Sequence, residues 1–107
     1  MALLAIAVHA QGKKREAQLR TVRGVVTDKG DNPLSGSVVF LKNMRTNSVR
    51  SSYTDETGNY RFSGLDPNVD YELHAEKDNA KSTTRTVSSF DSRKDIVLNL
   101  KIDRKKG

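Results

Sequence analysis

The chain has 107 residues, no cysteine and a formal net charge of +6. That length accommodates one domain with one core, and the absence of thiols excludes a disulfide framework, cysteine nucleophiles and thiolate metal sites. Residues 21–100 balance 11 basic against 11 acidic side chains, so the excess charge belongs to the two ends and the body between them is neutral.

In chain order, residues 1–10 (MALLAIAVHA) are apolar and close with the small residues that a signal peptidase requires. They read as a secretory signal peptide. Its basic n-region is missing, which leaves open a start inside a longer signal, and it is too short to span a bilayer. The alternative for this stretch is a buried first strand or short helix. An exported chain without cysteine fits a bacterial periplasm, cell surface or secreted setting. Residues 11–20 read as a basic N-terminal tail, with Lys13, Lys14 and Arg15 at its centre, and residues 103–107 as a basic C-terminal tail with Arg104, Lys105 and Lys106. Such tails are drawn to anionic surfaces in a salt-dependent and sequence-blind way, or simply keep the protein soluble. No aromatic residue is interleaved with them, which removes a stacking platform for single-stranded nucleic acid.

Residues 21–102 read as successive strands. The first covers residues 21–27 and ends in the turn formers Asp28, Gly30, Asp31, Asn32 and Pro33. The second, residues 37–42, places Val39 and Leu41 on one face and Val38 and Phe40 on the other, as expected of a central strand. A third covers residues 48–53. The corner Thr54-Asp55-Glu56-Thr57-Gly58-Asn59 then leads into Tyr60 and Phe62, with Gly64 and Pro67 ending that strand. Gly58 is placed to take a positive φ, and Asp55 to bond its own backbone. Residues 69–76 alternate cleanly, with Val69, Tyr71, Leu73 and Ala75 inward. Residues 81–87 suit an exposed edge strand. The last strand has Ile96, Leu98, Leu100 and Ile102 inward against Val97, Asn99 and Lys101 outward. Seven short strands with turn signals between them, and no helical period, specify an all-β fold: a seven-stranded antiparallel Greek-key β-sandwich.

No constellation of residues can carry out a reaction. His74 is a lone histidine on a polar strand face, whereas zinc requires three or four ligands. Asp55 and Glu56 resemble part of a calcium loop, but no bidentate glutamate follows, and a plain turn accounts for them. The serines lack both a nucleophile elbow and a histidine base. The expectation is therefore no catalytic residue, no metal and no cofactor.

The order Val22-x-Gly24-x-Val26, Asn32-Pro33-Leu34-x-Gly36, Val39, Leu41, Thr54-Asp55-x-x-Gly58-x-Tyr60-x-Phe62-x-Gly64-Leu65, Tyr71 and Leu73 resembles the carboxypeptidase regulatory-like domain family over residues 21–102. The resemblance implies a transthyretin-like (prealbumin-like) sandwich, related to carbohydrate-binding-like folds and found in exported bacterial proteins, with none of the zinc ligands of the peptidases it accompanies. The chain departs from the family at Asn68-Val69-Asp70, where a glycine usually follows the corner proline; asparagine at such a position can enter the left-handed region. Two chemistries of related proteins do not carry over. The ring-opening hydrolases of similar shape end in Tyr-Arg-Gly-Ser, whereas this chain ends Asp103-Arg104-Lys105-Lys106-Gly107. Internal isopeptide bonds in collagen-adhesin repeats need a lysine where this chain has Arg23.

What remains is a non-catalytic module that binds through its surface, with a protein or carbohydrate partner and an accessory or structural role in the cell envelope. Val38 and Phe40, with Val97, form the expected apolar interaction patch. The competing expectation is that this face packs against the second sheet or is covered by a loop. Association with anionic envelope polymers through the basic tails is the other surface reading.

Overall fold

The computed structural model describes residues 19–103. The signal-peptide reading of residues 1–10 and the tail assignments that rest on Lys13, Lys14, Arg15, Arg104, Lys105 and Lys106 lie outside them. The strands are β1 Arg20–Thr27, β2 Val38–Asn43, β3 Val49–Tyr53, β4 Asn59–Leu65, β5 Tyr71–Lys77, β6 Ala80–Lys81, β7 Arg85–Val87, β8 Asp95–Val97 and β9 Leu100–Lys101. One sheet is ordered β4-β1-β8, with β9 also on β1; the other is ordered β3-β2-β5-β6, with β7 also on β5. No helix occurs among the described residues.

The inward residues obey the two-residue period of a pleated strand. Val22 and Val26 of β1, Val39 and Leu41 of β2, Tyr60 and Phe62 of β4, and Tyr71, Leu73 and Ala75 of β5 are all buried between the sheets. Ile96, Leu100 and Ile102 close the core, and Val87 enters it from β7. Each such aliphatic side chain contributes about 1.5–3 kcal/mol on full burial. β4 breaks its own alternation at Ser63 and Gly64, both exposed, before Leu65 returns inward. There the pairing with β1 shifts register between Arg20 and Val22, and Gly64 has a φ of 72°. This bulge re-aims Leu65 into the core.

Seven strand positions account for the nine segments, because two positions are interrupted. β6 and β7 both pair with β5, and between them Ser82 Oγ accepts the Ala75 N–H at 2.9 Å, a side chain standing in the ladder. β8 and β9 both pair with β1, and the break between them has a steric cause. A Cβ on Gly24 would collide with the Leu98 carbonyl, which folds over that glycine. Asn99 Oδ1 then takes the Val25 N–H at 3.0 Å in place of a main-chain acceptor.

The expectation of a purely antiparallel sandwich is corrected on one edge: β1 pairs with β8 and with β9 in parallel. The chain reaches β8 by crossing over from β7 in the opposite sheet, so it arrives running the same way as β1.

The turns follow the side chains that form them. Asp55 Oδ1 accepts the N–H groups of Thr57 and Asn59, each at 2.9 Å, and Gly58 has a φ of 78° with its carbonyl taking the Val26 N–H at 2.9 Å. Asp28 Oδ1 accepts the N–H of Gly30 at 2.9 Å and of Asn32 at 3.0 Å. The non-glycine residues with positive φ are Asp31, Asn47, Asp78 and Asn79. Asn68 does not take the left-handed conformation open to it; its N–H closes a turn on Asp66 Oδ1 at 2.8 Å.

Arg20 corrects the boundary between tail and body. It is the first residue of β1 and is buried, and its guanidinium donates to four carbonyl oxygens. Nη1 reaches Ser88 O at 2.8 Å and Asp91 O at 3.3 Å; Nη2 reaches Val69 O at 2.9 Å and Asp66 O at 3.1 Å. A planar guanidinium with several donors ties two loops distant in sequence to the end of β1.

Candidate interaction surface

The outward face of the β3-β2-β5 sheet is set by register. Val38 lies between Tyr53 and Glu76, Phe40 between Ser51 and His74, and Lys42 between Val49 and Glu72. The opposite residues of β2, Val39 and Leu41, are buried in the core. This phase is forced: a slip by one residue would exchange the two sets and bury Lys42.

On that face the Phe40 and His74 rings stack with centroids 5.1 Å apart and planes at 25°. His74 Nε2 is 2.8 Å from Glu76 Oε2, and both side chains are about one-third exposed. Phe40, Val49, His74 and Thr84, with the charged groups Lys42, Glu72 and Glu76, line a groove of about 370 Å³. It is an apolar floor with charges of both signs around it. Such a groove offers ring faces and carboxylate or ammonium hydrogen-bond partners to a ligand.

The three residues expected to form one patch are separated. Val38 and Phe40 are half-buried on the outward face of one sheet, so neither the second sheet nor a loop takes them from solvent completely. Val38 lines a neighbouring recess with Gly36, Glu76 and Lys77 rather than the Phe40 groove. Val97 is exposed on β8 of the other sheet, in a recess with Tyr60, Arg61 and Asn99. Strand phase alone cannot assign sheet membership, which is why Val97 was grouped with the other two. His74 and Tyr53, absent from the expected patch, belong to this face; the alternation of β5, which sets His74 out of phase with Leu73, was the available signal, and Tyr53 is exposed on β3.

The perturbed ionisable groups lie away from the groove. Burial pushes the Tyr60 hydroxyl above its usual range, opposed by the charge of Arg85, and that hydroxyl donates to Leu98 O at 2.6 Å. Hydrogen bonds from the Asn59 N–H and the Thr57 hydroxyl hold Asp55 below the usual carboxylate value. The Arg93 side chain brings Asp91 down to about 2, and the Arg23 side chain lowers Asp95. Each of these shifts has a structural partner, and none is a carboxylate raised by a second carboxylate as acid–base chemistry would need. Among the described residues, no group of three or more His, Cys, Asp or Glu is gathered in a way that would hold a metal ion. No helix of the described chain is long and apolar enough to cross a membrane.

Comparison with known proteins gives two kinds of match. The chain is 34% identical over 70 residues to the serine-aspartate repeat-containing protein F of Staphylococcus epidermidis, which covers 65% of this chain and 4% of that protein. It therefore spans a small fraction of the relative's length. In fold it is similar to the catechol 1,2-dioxygenase of Acinetobacter sp. ADP1, with a TM-score of 0.62 and 14% identity over 81% of this chain and 53% of that one. It is also similar to BcpA, the major pilin subunit of Bacillus cereus, with a TM-score of 0.61 and 14% identity over 82% and 31% of the two chains. A C-terminal fragment of the pilus adhesin SpaC from Lactobacillus rhamnosus GG matches with a TM-score of 0.56 and 11% identity over 82% and 46%. At such identities these likenesses concern the sandwich and not its chemistry. Over residues 21–102 the sequence matches the carboxypeptidase regulatory-like domain, and the chain belongs to that family.

Proposed function

We propose that this protein is a non-catalytic, exported β-sandwich module of the cell envelope that engages a protein or carbohydrate partner through the outward face of the β3-β2-β5 sheet. The observation that carries this reading is the Phe40–His74 stack at the floor of a groove in which both rings stay partly exposed. A flat aromatic pair flanked by Glu76, Glu72 and Lys42 matches the chemistry of a sugar ring with its hydroxyls, or of a peptide side chain with its flanking amides. The relative in Staphylococcus epidermidis is named as a repeat-containing protein and the fold neighbours include pilus proteins; both support an accessory or structural role in an envelope assembly. Dioxygenases share the fold, and the perturbed groups described above supply no acid–base pair to support an enzymatic reading.

The placement of the first and last described strands supports use as a connecting module. β1 starts at Arg20, and Ile102 bonds the Thr27 carbonyl at the other end of the same strand. Entry and exit are thus separated by the length of an eight-residue strand, about 25 Å. A domain entered at one pole and left at the other extends a chain rather than folding it back.

The test is binding of the full chain to wall-polysaccharide fragments and to the envelope protein fraction of the source cells, beside a Phe40→Ala, His74→Ala double variant. The expected result is retention by the wild type and at least a tenfold loss in the variant, with thermal melting unchanged. Equal retention of both would rule the groove out.

The neutral body favours a second mode of contact, through the basic ends. Residues 13–15 and 104–106 carry the cations, outside the described residues. Binding to anionic vesicles would then weaken as salt rises from low to physiological strength; salt-independent binding would exclude it.

A further inference from the structure

Three of the sandwich's edges are irregular. β4 is bulged at Gly64, the β6–β7 edge is interrupted at Ser82, and the β8–β9 edge is interrupted between Val97 and Leu100. β3 is different. It pairs with β2 through five successive residues without a register shift, contains no proline, and is exposed at Val49, Arg50, Ser51 and Tyr53. Natural edge strands are usually blunted by charge, proline or a bulge. The one charge on β3 does not guard it, because Arg50 is drawn back across the sandwich, with its guanidinium 5.4 Å from the Phe62 ring centroid and donating to Ser63 O at 3.2 Å.

The hydrogen-bond phase decides which main-chain groups are open. Asn43 N–H donates to Ser48 O at 2.9 Å, and Thr54 N–H to Ser37 O at 2.8 Å. In an antiparallel ladder every second pair exchanges bonds, so Arg50 and Ser52 bond inward to Leu41 and Val39, and the N–H and C=O groups of Val49, Ser51 and Tyr53 face out from the edge.

We propose that β3 is a homotypic docking edge, on which a second copy of this chain adds its own β3 antiparallel about a two-fold axis at Ser51. This goes beyond the groove reading and does not depend on it. The strand is complementary to itself in that register and phase. Ser51 meets Ser51 of the second copy, and Val49 meets Tyr53 of the second copy, a pairing of β-branched and aromatic side chains that favours strand association. Arg50 lies opposite Ser52 of the second copy, so the two arginines do not face each other. The outward-facing groups of Val49, Ser51 and Tyr53 then form about six main-chain bonds across the edge. Val49 is 56% exposed and Tyr53 is 74% exposed, and both lose solvent in the pair. Because the contact is one strand wide, the dimer is weak and concentration-dependent.

The test is sedimentation equilibrium of the full chain from micromolar to millimolar concentration, with Ser51→Lys and Ser51→Glu variants measured alone and mixed. The wild type is expected to show a monomer–dimer equilibrium. Each charged variant places like charges across the axis and should weaken that equilibrium about tenfold or more. Their equimolar mixture should recover it. Ser51→Pro, which removes only an outward N–H, should abolish the dimer with the same far-UV circular dichroism; if that variant misfolds, the charge pair decides alone. A wild type that stays monomeric to millimolar concentration, a dimer that Ser51→Lys leaves intact, or an edge that takes only an added extended peptide would each overturn the proposal.

Discussion

The two poles of the sandwich solve the same problem in different ways. At the pole where β1 ends, loops are held by residues a few positions away: Asp28 caps its own turn, Asp55 caps the next, and Gly58 supplies a conformation closed to other residues. At the pole where β1 begins, a single side chain, Arg20, holds carbonyls of Asp66, Val69, Ser88 and Asp91, 46 to 71 residues away. Local caps tolerate loss one at a time, because each satisfies its own turn. A shared cation is a single point of failure, since its loss strips both loops of donors at once.

Replacing Arg20 is the sharpest way to break the comparison. Arg20→Met should cost about 3 kcal/mol in chemical denaturation, because charged-donor bonds to buried carbonyls are lost with nothing in their place. Arg20→Lys should recover little, since one ammonium cannot serve both loops. A loss equal to that of an ordinary surface substitution would show that the loops hold themselves.

At the local pole, Gly58→Ala should cost about 2 kcal/mol, from strained φ together with crowding. A Cβ there would lie 2.8 Å from Val26 O and 3.2 Å from Pro33 Cβ. Gly64→Ala is the control. It has a φ of 72° but open space around the added atom, and should cost about 1 kcal/mol. Equal losses in thermal or urea unfolding would mean that φ alone, and not the close approach, sets the penalty.

Acid acts on both poles and more gently. Asp55, Asp91 and Asp95 are held below the ordinary value of 3.8 in the folded chain, Asp91 down to about 2. As pH falls, the unfolded chain therefore takes up protons first. Their stabilisation is complete above pH 4 or so and drains away between there and about 2. Asp55→Asn keeps an oxygen acceptor for Thr57 and Asn59 but cannot titrate, so its unfolding midpoint should fall less steeply over that interval than that of the wild type.

The smallest effect is expected at the Lys29–Asp103 pair. The two groups are 3.7 Å apart with side chains 71% and 53% exposed, and Lys29→Met should change stability by no more than about 0.5 kcal/mol.

Strand phase was legible along most of the chain because it is a property of neighbours two residues apart. Tyr60 and Phe62, Tyr71, Leu73 and Ala75, and Ile96, Leu100 and Ile102 are inward as their alternation requires. The corner at Asp55 and Gly58 was legible for a similar reason, its chemistry lying within a few residues. Arg20 was not, because it sits among the cations of residues 13–20 and its acceptors are main-chain carbonyls that no side-chain identity marks. The grouping of Val97 with Val38 and Phe40 failed on the same principle. Outwardness is local, but the choice of sheet depends on which partner a strand finds.

By itself, then, the sequence determined the two-residue rhythm, the turns that interrupt it and the neutrality of the body between basic ends, since each depends on residues within a few positions of one another. Only the tertiary structure decided that β8 and β9 run parallel to β1, that Phe40 stacks on His74 at the floor of a groove, that β3 is a regular edge with no second neighbour among the described residues, and that Arg20 is a buried tie. Those features arise where segments far apart in the chain compete for the same space and the same hydrogen-bonding groups, and that competition is resolved only when the whole chain packs.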